Sequence, residues 1–150
     1  MSEQMILDGK VAAAAYTLVS DSDDSPKPGD AIAIDRWLAL KAADDVDLSR
    51  VGVILEGDQD ISALQGLLSE LAFVALHVPK FTDGRVYSHA RRLRALWGYE
   101  GVILAFGDVL RDQLLYMSRC GINAFYMRED QDLHASLAAF ELYTEHYQYN

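Results

Sequence analysis

The sequence predicts an α/β fold built from four consecutive βα units on a mainly parallel sheet, preceded by a short N-terminal β-hairpin and helix. Three observations carry this expectation. Apolar runs of strand length at 51–55, 73–78, 101–106 and 124–127 alternate with segments whose apolar residues recur at helical spacing. The connections between them are short, so successive strands run parallel. The runs are also apolar throughout rather than alternating, as in a sheet buried on both faces.

The 150 residues suit one α/β domain over 1–150, with 1–50 holding a hairpin, an acidic loop and a helix, and 51–150 the βα core. Met5 to Val11 reads as strand, Asp8-Gly9 turn and returning strand, continuing to Val19. Residues 20–30, rich in Ser, Asp and Pro, form turns. Ala31 to Ile34 is a short strand, and Asp35 is expected to cap a helix that carries Trp37, Leu38 and Leu40 inward. After the strand at Val51–Leu55, the polar loop Glu56–Asp60 leads to a helix with Ile61, Leu64, Leu67, Leu68 and Leu71 at helical spacing.

Strand Phe73–Val78 is followed by the loop Lys80–Arg85. Asp83 or Ser88 then opens a helix with a buried stripe of Ala90, Leu93 and Trp97, ending at Gly98. A third strand leads to Asp108, expected to cap a helix that ends at Gly121. A last helix runs from Asp132 to Tyr147. Two architectures fit this order, an open doubly wound sheet and a half β/α-barrel, and handedness rules select neither.

Composition excludes several function classes. A net charge of −10 argues against nucleic acid and against anionic membrane surfaces. No apolar run approaches the roughly 18 residues that span a bilayer, and the first residues do not read as a signal peptide, which points to the cytoplasm. The single cysteine, Cys120, forms no internal disulfide and reads as a small buried residue. The four histidines lack metal-binding spacing, so no metal is expected, and His77 reads as a satisfied core residue. Nucleotide and nucleophile-elbow fingerprints are absent; no cofactor is expected, with a flavin left open. Phe140, Tyr143 and Tyr147 form an aromatic stripe on the last helix, which either docks on the sheet or makes a homodimer interface.

In either architecture the loops leaving the C-terminal strand ends share one edge, where ligands bind. Here those loops are Glu56-Gly57-Asp58, Lys80–Arg85, Gly107-Asp108 and Arg128-Glu129-Asp130. Asp83-Gly84 makes a tight turn that projects Arg85, the first of a basic group continued by Arg91, Arg92 and Arg94. Arginine suits planar bidentate binding of an oxyanion. The candidate ligand-binding set is therefore Asp83, Arg85, Ser88, Arg91, Asp108, Asp112 and Gln113, with no catalytic residue assigned. The plainer alternative is that the aspartates cap helices and turns, and that Arg92 and Arg94 pair with surface carboxylates.

The motifs Phe81-Thr82-Asp83-Gly84-Arg85, Tyr87-Ser88-x-Ala90-Arg91-x-Leu93-Arg94, Gly98-Tyr99-x-Gly101, Gly107-Asp108-Val109-Leu110-x-Asp112-Gln113 and Arg119-Cys120-Gly121 resemble the bacterial family called domain of unknown function 934. A weaker echo lies in Ile34-Asp35-Arg36-Trp37-Leu38. The resemblance implies an accessory role in sulfite reduction, an oxidoreductase label and sulfite reductase as a partner. The family's third strand typically reads Gly-Glu-Leu-Arg-Ala, whereas this chain has Val102 and Leu104 in place of the two charged residues, and Val86 where glycine is usual.

Overall fold

A computed structural model describes residues 4–19, 24–80 and 84–138. Its strands are β1 Gln4–Leu7, β2 Lys10–Ala13, β3 Thr17–Leu18, β4 Asp30–Ala33, β5 Gly52–Leu55, β6 Phe73–Val78, β7 Val102–Gly107 and β8 Ala124–Phe125. They form one sheet in the order β2-β1-β8-β7-β6-β5-β4-β3. β3 to β8 run parallel to one another, whereas β1 runs antiparallel to both β8 and β2.

β4 to β8 lie side by side in chain order, so each crossover advances one strand, and crossovers of one hand place their helices on the same face. Two apolar clusters confirm it. Ile32, Val53, Val74, Leu76, Ile103 and Phe125 pack with helical residues such as Trp37, Ala90, Leu93 and Met117. The opposite face holds Met5, Ala31, Phe73, Ala75, Leu104, Ala124 and Tyr126. The architecture is the curled half-barrel, and the doubly wound alternative falls away.

The curl follows from the chain's reach. Eight strands laid flat span about 34 Å at the usual spacing. Yet β2 and β3, on opposite edges, are joined by residues 14–16 alone, and the four steps from Ala13 to Thr17 cover at most about 14 Å. The edges must therefore curve toward each other. This is why the strand expected to run on to Val19 stops at Ala13: the chain leaves one edge to cross the concave face. Tyr16 anchors the crossing. Its ring lies 4.3 Å from that of Phe73. The Tyr126 hydroxyl donates to the Tyr16 carbonyl at 2.6 Å and accepts from the Tyr16 N–H at 2.9 Å. Tyr126→Phe is expected to cost about 1–3 kcal/mol, because it strands a half-buried donor and acceptor together. Urea unfolding of the two proteins measures it.

Local departures from the expected elements have simple causes. Helix α1, Ile34–Ala43, starts directly from the strand with Ala33 at its N-cap. Asp35 therefore sits in the first turn, where it faces the helix dipole rather than capping. Ser62–Glu70 winds as a 3-10 helix, since Ile61, Leu64 and Leu67 fit a period of three as well as one of 3.6. Helix α2, Arg85–Arg91, passes into a π-turn at Arg92–Leu96. A 3-10 turn, Arg111–Gln113, precedes α3, Leu114–Arg119. Residues 133–138 are helical, and the stripe of Phe140, Tyr143 and Tyr147 lies outside the described residues. Among the described residues no helix is long and apolar enough to cross a membrane.

Candidate functional site

Strand parity decides what faces the mouth of the half-barrel. In β6, Phe73 and Ala75 point to the concave side, so His77 does too. In β7, Leu104 and Phe106 do the same, and His77 pairs with Phe106 in the register. The two rings stand parallel on adjacent strands, with centroids 5.2 Å apart and planes at 20°. On the other side, β5 is registered as Ile54 with Ala75, so Glu56 two residues on reaches the level of His77. The Glu56 carboxylate accepts from His77 Nδ1 at 2.7 Å. A row of Glu56, His77 and Phe106 thus crosses three strand ends, and it lines a 390 Å³ pocket with Leu18, Val19, Ala33, Arg36 and Ile54.

His77 is not a core residue: 36% of its side chain is exposed. Its partner is Glu56, and its surroundings are the pocket. With Nδ1–H held by the carboxylate, Nε2 is the nitrogen left to accept a proton or a hydrogen bond, or to donate when the ring is charged. Gly107, at φ +102°, lies against the His77 ring, and a Cβ there would come 3.0 Å from Cδ2 and 2.5 Å from the Val78 carbonyl. The ring thus needs glycine beside it. Arg36, in the first turns of α1, is held at the rim by a bond from Nη2 to the Asp24 carbonyl. Its remaining guanidinium donors suit an anion.

The Glu56 loop is itself fixed from below. Gln59 Oε1 accepts from the Glu56 N–H at 2.7 Å, and the Gln59 N–H donates back to the Glu56 carbonyl. His89 of α2, buried to 8% exposure, donates from Nε2 to the same carbonyl at 2.9 Å. Burial lowers the His89 pKa from its ordinary 6.5. The folded protein therefore holds His89 neutral, and the stability this confers is present above pH 6.5 and lost as pH falls below it. His89→Asn is expected to flatten the stability decline between pH 6.5 and 5, read from urea midpoints across that range.

The residues expected from sequence occupy several places rather than one. Asp83 lies outside the described residues. Arg85 and Ser88 are exposed on α2, whose start packs against the Glu56-Gly57 turn. Arg91 faces α3 instead, with Nη2 donating to the Tyr116 hydroxyl at 2.8 Å. Asp108 does not cap the helical segment that follows, whose N-cap is Leu110; its carboxylate accepts from Arg128 Nη1 at 2.8 Å, which joins it to the Arg128–Asp130 pair. Asp112 is exposed on a second pocket of 350 Å³, lined also by Arg111, Arg128 and Asp130. Gln113 has its Oε1 buried and without a hydrogen-bond partner among the described residues. Among the described residues no cluster of His, Cys, Asp and Glu could hold a metal. Cys120 is buried.

Residues 52–150 match the family described as "Bacterial protein of unknown function (DUF934)". The chain belongs to this family. No curated protein and no solved structure matches it. Several of the motif residues turn out to build the floor of the half-barrel. The π-turn aims Arg94 at the N-terminal strand ends, where Nη1 donates to the carbonyls of Tyr99 at 2.7 Å and Gly101 at 2.8 Å. Nε and Nη2 both donate to Gly121, at 3.0 and 2.9 Å. Gly121 sits at φ +105°, and a Cβ there would lie 2.7 Å from the Arg94 Cβ. The Leu93-Arg94, Gly98-Tyr99-x-Gly101 and Arg119-Cys120-Gly121 motifs are thus one structural staple, far from the mouth. Val102 and Leu104, which stand where family resemblance expects charged residues, both belong to the concave face.

The pair that sequence reasoning missed, Glu56 and His77, carried a readable signal. A histidine at the C-terminal end of an otherwise apolar parallel strand, on the same parity as Phe73 and Ala75, has to face either a core or a barrel mouth.

Proposed function

We propose that the protein is an accessory factor of sulfur assimilation that binds a small oxyanion-bearing ligand at the mouth of the half-barrel and works beside sulfite reductase. The observation that carries the site is the convergence of the Glu56–His77 pair and Arg36 on one pocket at the C-terminal strand ends. Ligands of β/α folds gather there. The sulfite setting rests on the family resemblance. The net charge of −10 suits docking to a basic partner face, which would make the complex salt-sensitive. In this reading the core is four successive βα units preceded by a β-hairpin, the protein is cytoplasmic, and the C-terminal aromatic stripe is available for a homodimer.

The test is calorimetric titration with sulfite, sulfate and adenylylated sulfate. Binding is expected for at least one of them, weakened about tenfold or more, or about 1.4 kcal/mol, in His77→Ala and in Arg36→Gln. Absence of heat with all three would sink a sulfur oxyanion as the ligand of the site. Co-purification with sulfite reductase that fails at high salt supports the setting; full sulfite reduction in a deletion strain removes it. A second reading is favoured by the held tautomer of His77: a small enzyme in which Nε2 carries a proton to or from the ligand. It expects Glu56→Gln to lower turnover while affinity changes little.

A further inference from the structure

Resting on the mouth as the binding site, we propose that its ligand is a planar ring bearing one anionic group, not a bare inorganic oxyanion. Three features argue for this.

The first is size. The pocket's 390 Å³ falls within the usual range of small-molecule sites and equals the liquid volume of about a dozen waters. A tetrahedral oxyanion bound at Arg36 leaves most of that space wet, with the apolar wall still exposed.

The second is lining. Leu18, Val19, Ala33, Ile54 and Phe106 are apolar, against three polar residues gathered at the rim. An inorganic anion makes no use of such a wall, whereas an apolar ring removes it from water at roughly 25 cal/mol per Å².

The third is the pattern across the strands. β6 and β7 present the parallel rings of His77 and Phe106, and Glu56 at the end of β5 completes that row. One row further in, β5 and β4 present the shorter Ile54 and Ala33, which are paired in the register, with Ile54 beside Ala75. The pocket is therefore a low apolar floor bordered by the Glu56–His77–Phe106 row, and a flat ring laid over Ala33 and Ile54 has its edge toward His77. Arg36 follows Ala33 by three residues, at the start of α1, and lines the same pocket. An anion attached to the ring is then directed to Arg36, with His77 Nε2 as the second polar contact.

The experiment compares two series by calorimetry on the intact chain: phenyl phosphate, phenyl sulfate and benzoate against inorganic phosphate, sulfate and sulfite, with benzyl alcohol as an uncharged ring. The ring-bearing anions are expected to bind at least about tenfold tighter than their inorganic counterparts and than benzyl alcohol. Ala33→Leu, which adds bulk at an exposed position on the pocket floor, is expected to remove that advantage without lowering the melting temperature. Ile54→Phe, which covers that floor with the protein's own ring, serves as a second variant. Equal affinity for ring and inorganic anions overturns the ligand class while leaving the mouth as an anion site. Binding of benzyl alcohol as tight as that of the anions overturns the anionic part. Ring-anion binding that survives both variants overturns the placement. No binding by any compound overturns this inference and the site together.

Discussion

Arg94→Met is expected to lower the melting temperature by about 6–12 °C, equivalent to about 3 kcal/mol for a chain of this length. The guanidinium supplies donors to the carbonyls of Tyr99, Gly101 and Gly121, and it also reaches the Asn123 side-chain oxygen at 3.4 Å. Asn123 in turn accepts from the Ile103 N–H at 2.9 Å and donates to Asp8 in the β1–β2 turn at 3.1 Å. One side chain therefore ties α2's π-turn to the starts of β7 and β8. Removing it leaves several half-buried carbonyls to recover water one by one. Arg94→Lys should restore less than half of the loss, because a point charge cannot address carbonyls on three sides at once. Thermal melts of the three proteins decide it: equal midpoints would show that the staple contributes nothing. The same variants should leave ligand affinity at the mouth unchanged, since the staple lies at the opposite end of the strands.

Leu104→Arg is expected to unfold much of the population. Leu104 is fully buried on the concave face among Met5, Phe73, Ala75, Ala124 and Tyr126, and no carboxylate is buried among the described residues. An unpaired buried charge costs several kcal/mol, a large share of the 5–15 kcal/mol that holds a domain together. Leu104→Met, similar in volume, should cost under about 1.5 kcal/mol. The more informative variant is the pair Val102→Glu with Leu104→Arg. The two positions are two residues apart on the same strand and face, where opposite charges can reach each other. A recovery of about 1–3 kcal/mol over Leu104→Arg alone, read from a denaturant double-mutant cycle, would show that the charged pair of the family pattern is an internal ion pair of the half-barrel. No recovery would show that this interior has no room for it. Either way, the present chain keeps its concave interior apolar and confines polarity to the rim.

The candidate site was only partly legible. The edge on which it sits followed from alternating strands and helices, and Glu56 was already in one of the strand-end loops. The Arg85 to Gln113 set did not converge, because motif density reports that residues matter without saying for what. Arg94 and Gly121 are prominent in the pattern since they brace the floor. His77 was passed over because a polar residue in an apolar strand looks the same from sequence whether its face is filled or open. Asp108 looked like a helix cap, and only the return of the chain through Arg128, 20 residues later, showed where its charge goes.

Taken alone, the amino-acid order indicated an α/β chain, that the strands from Val51 onward are parallel, and which family the chain resembles. Those properties depend on local periodicity and on short connections. The tertiary structure decided that the sheet curls rather than winds on both sides, because only strand order fixes where each crossover lands. It decided which parity becomes concave, and so turned His77 from a core residue into the centre of the mouth. It also decided that Glu56, 21 residues earlier in the chain, is its partner, because register across a sheet is a property of the assembled strands and not of either one.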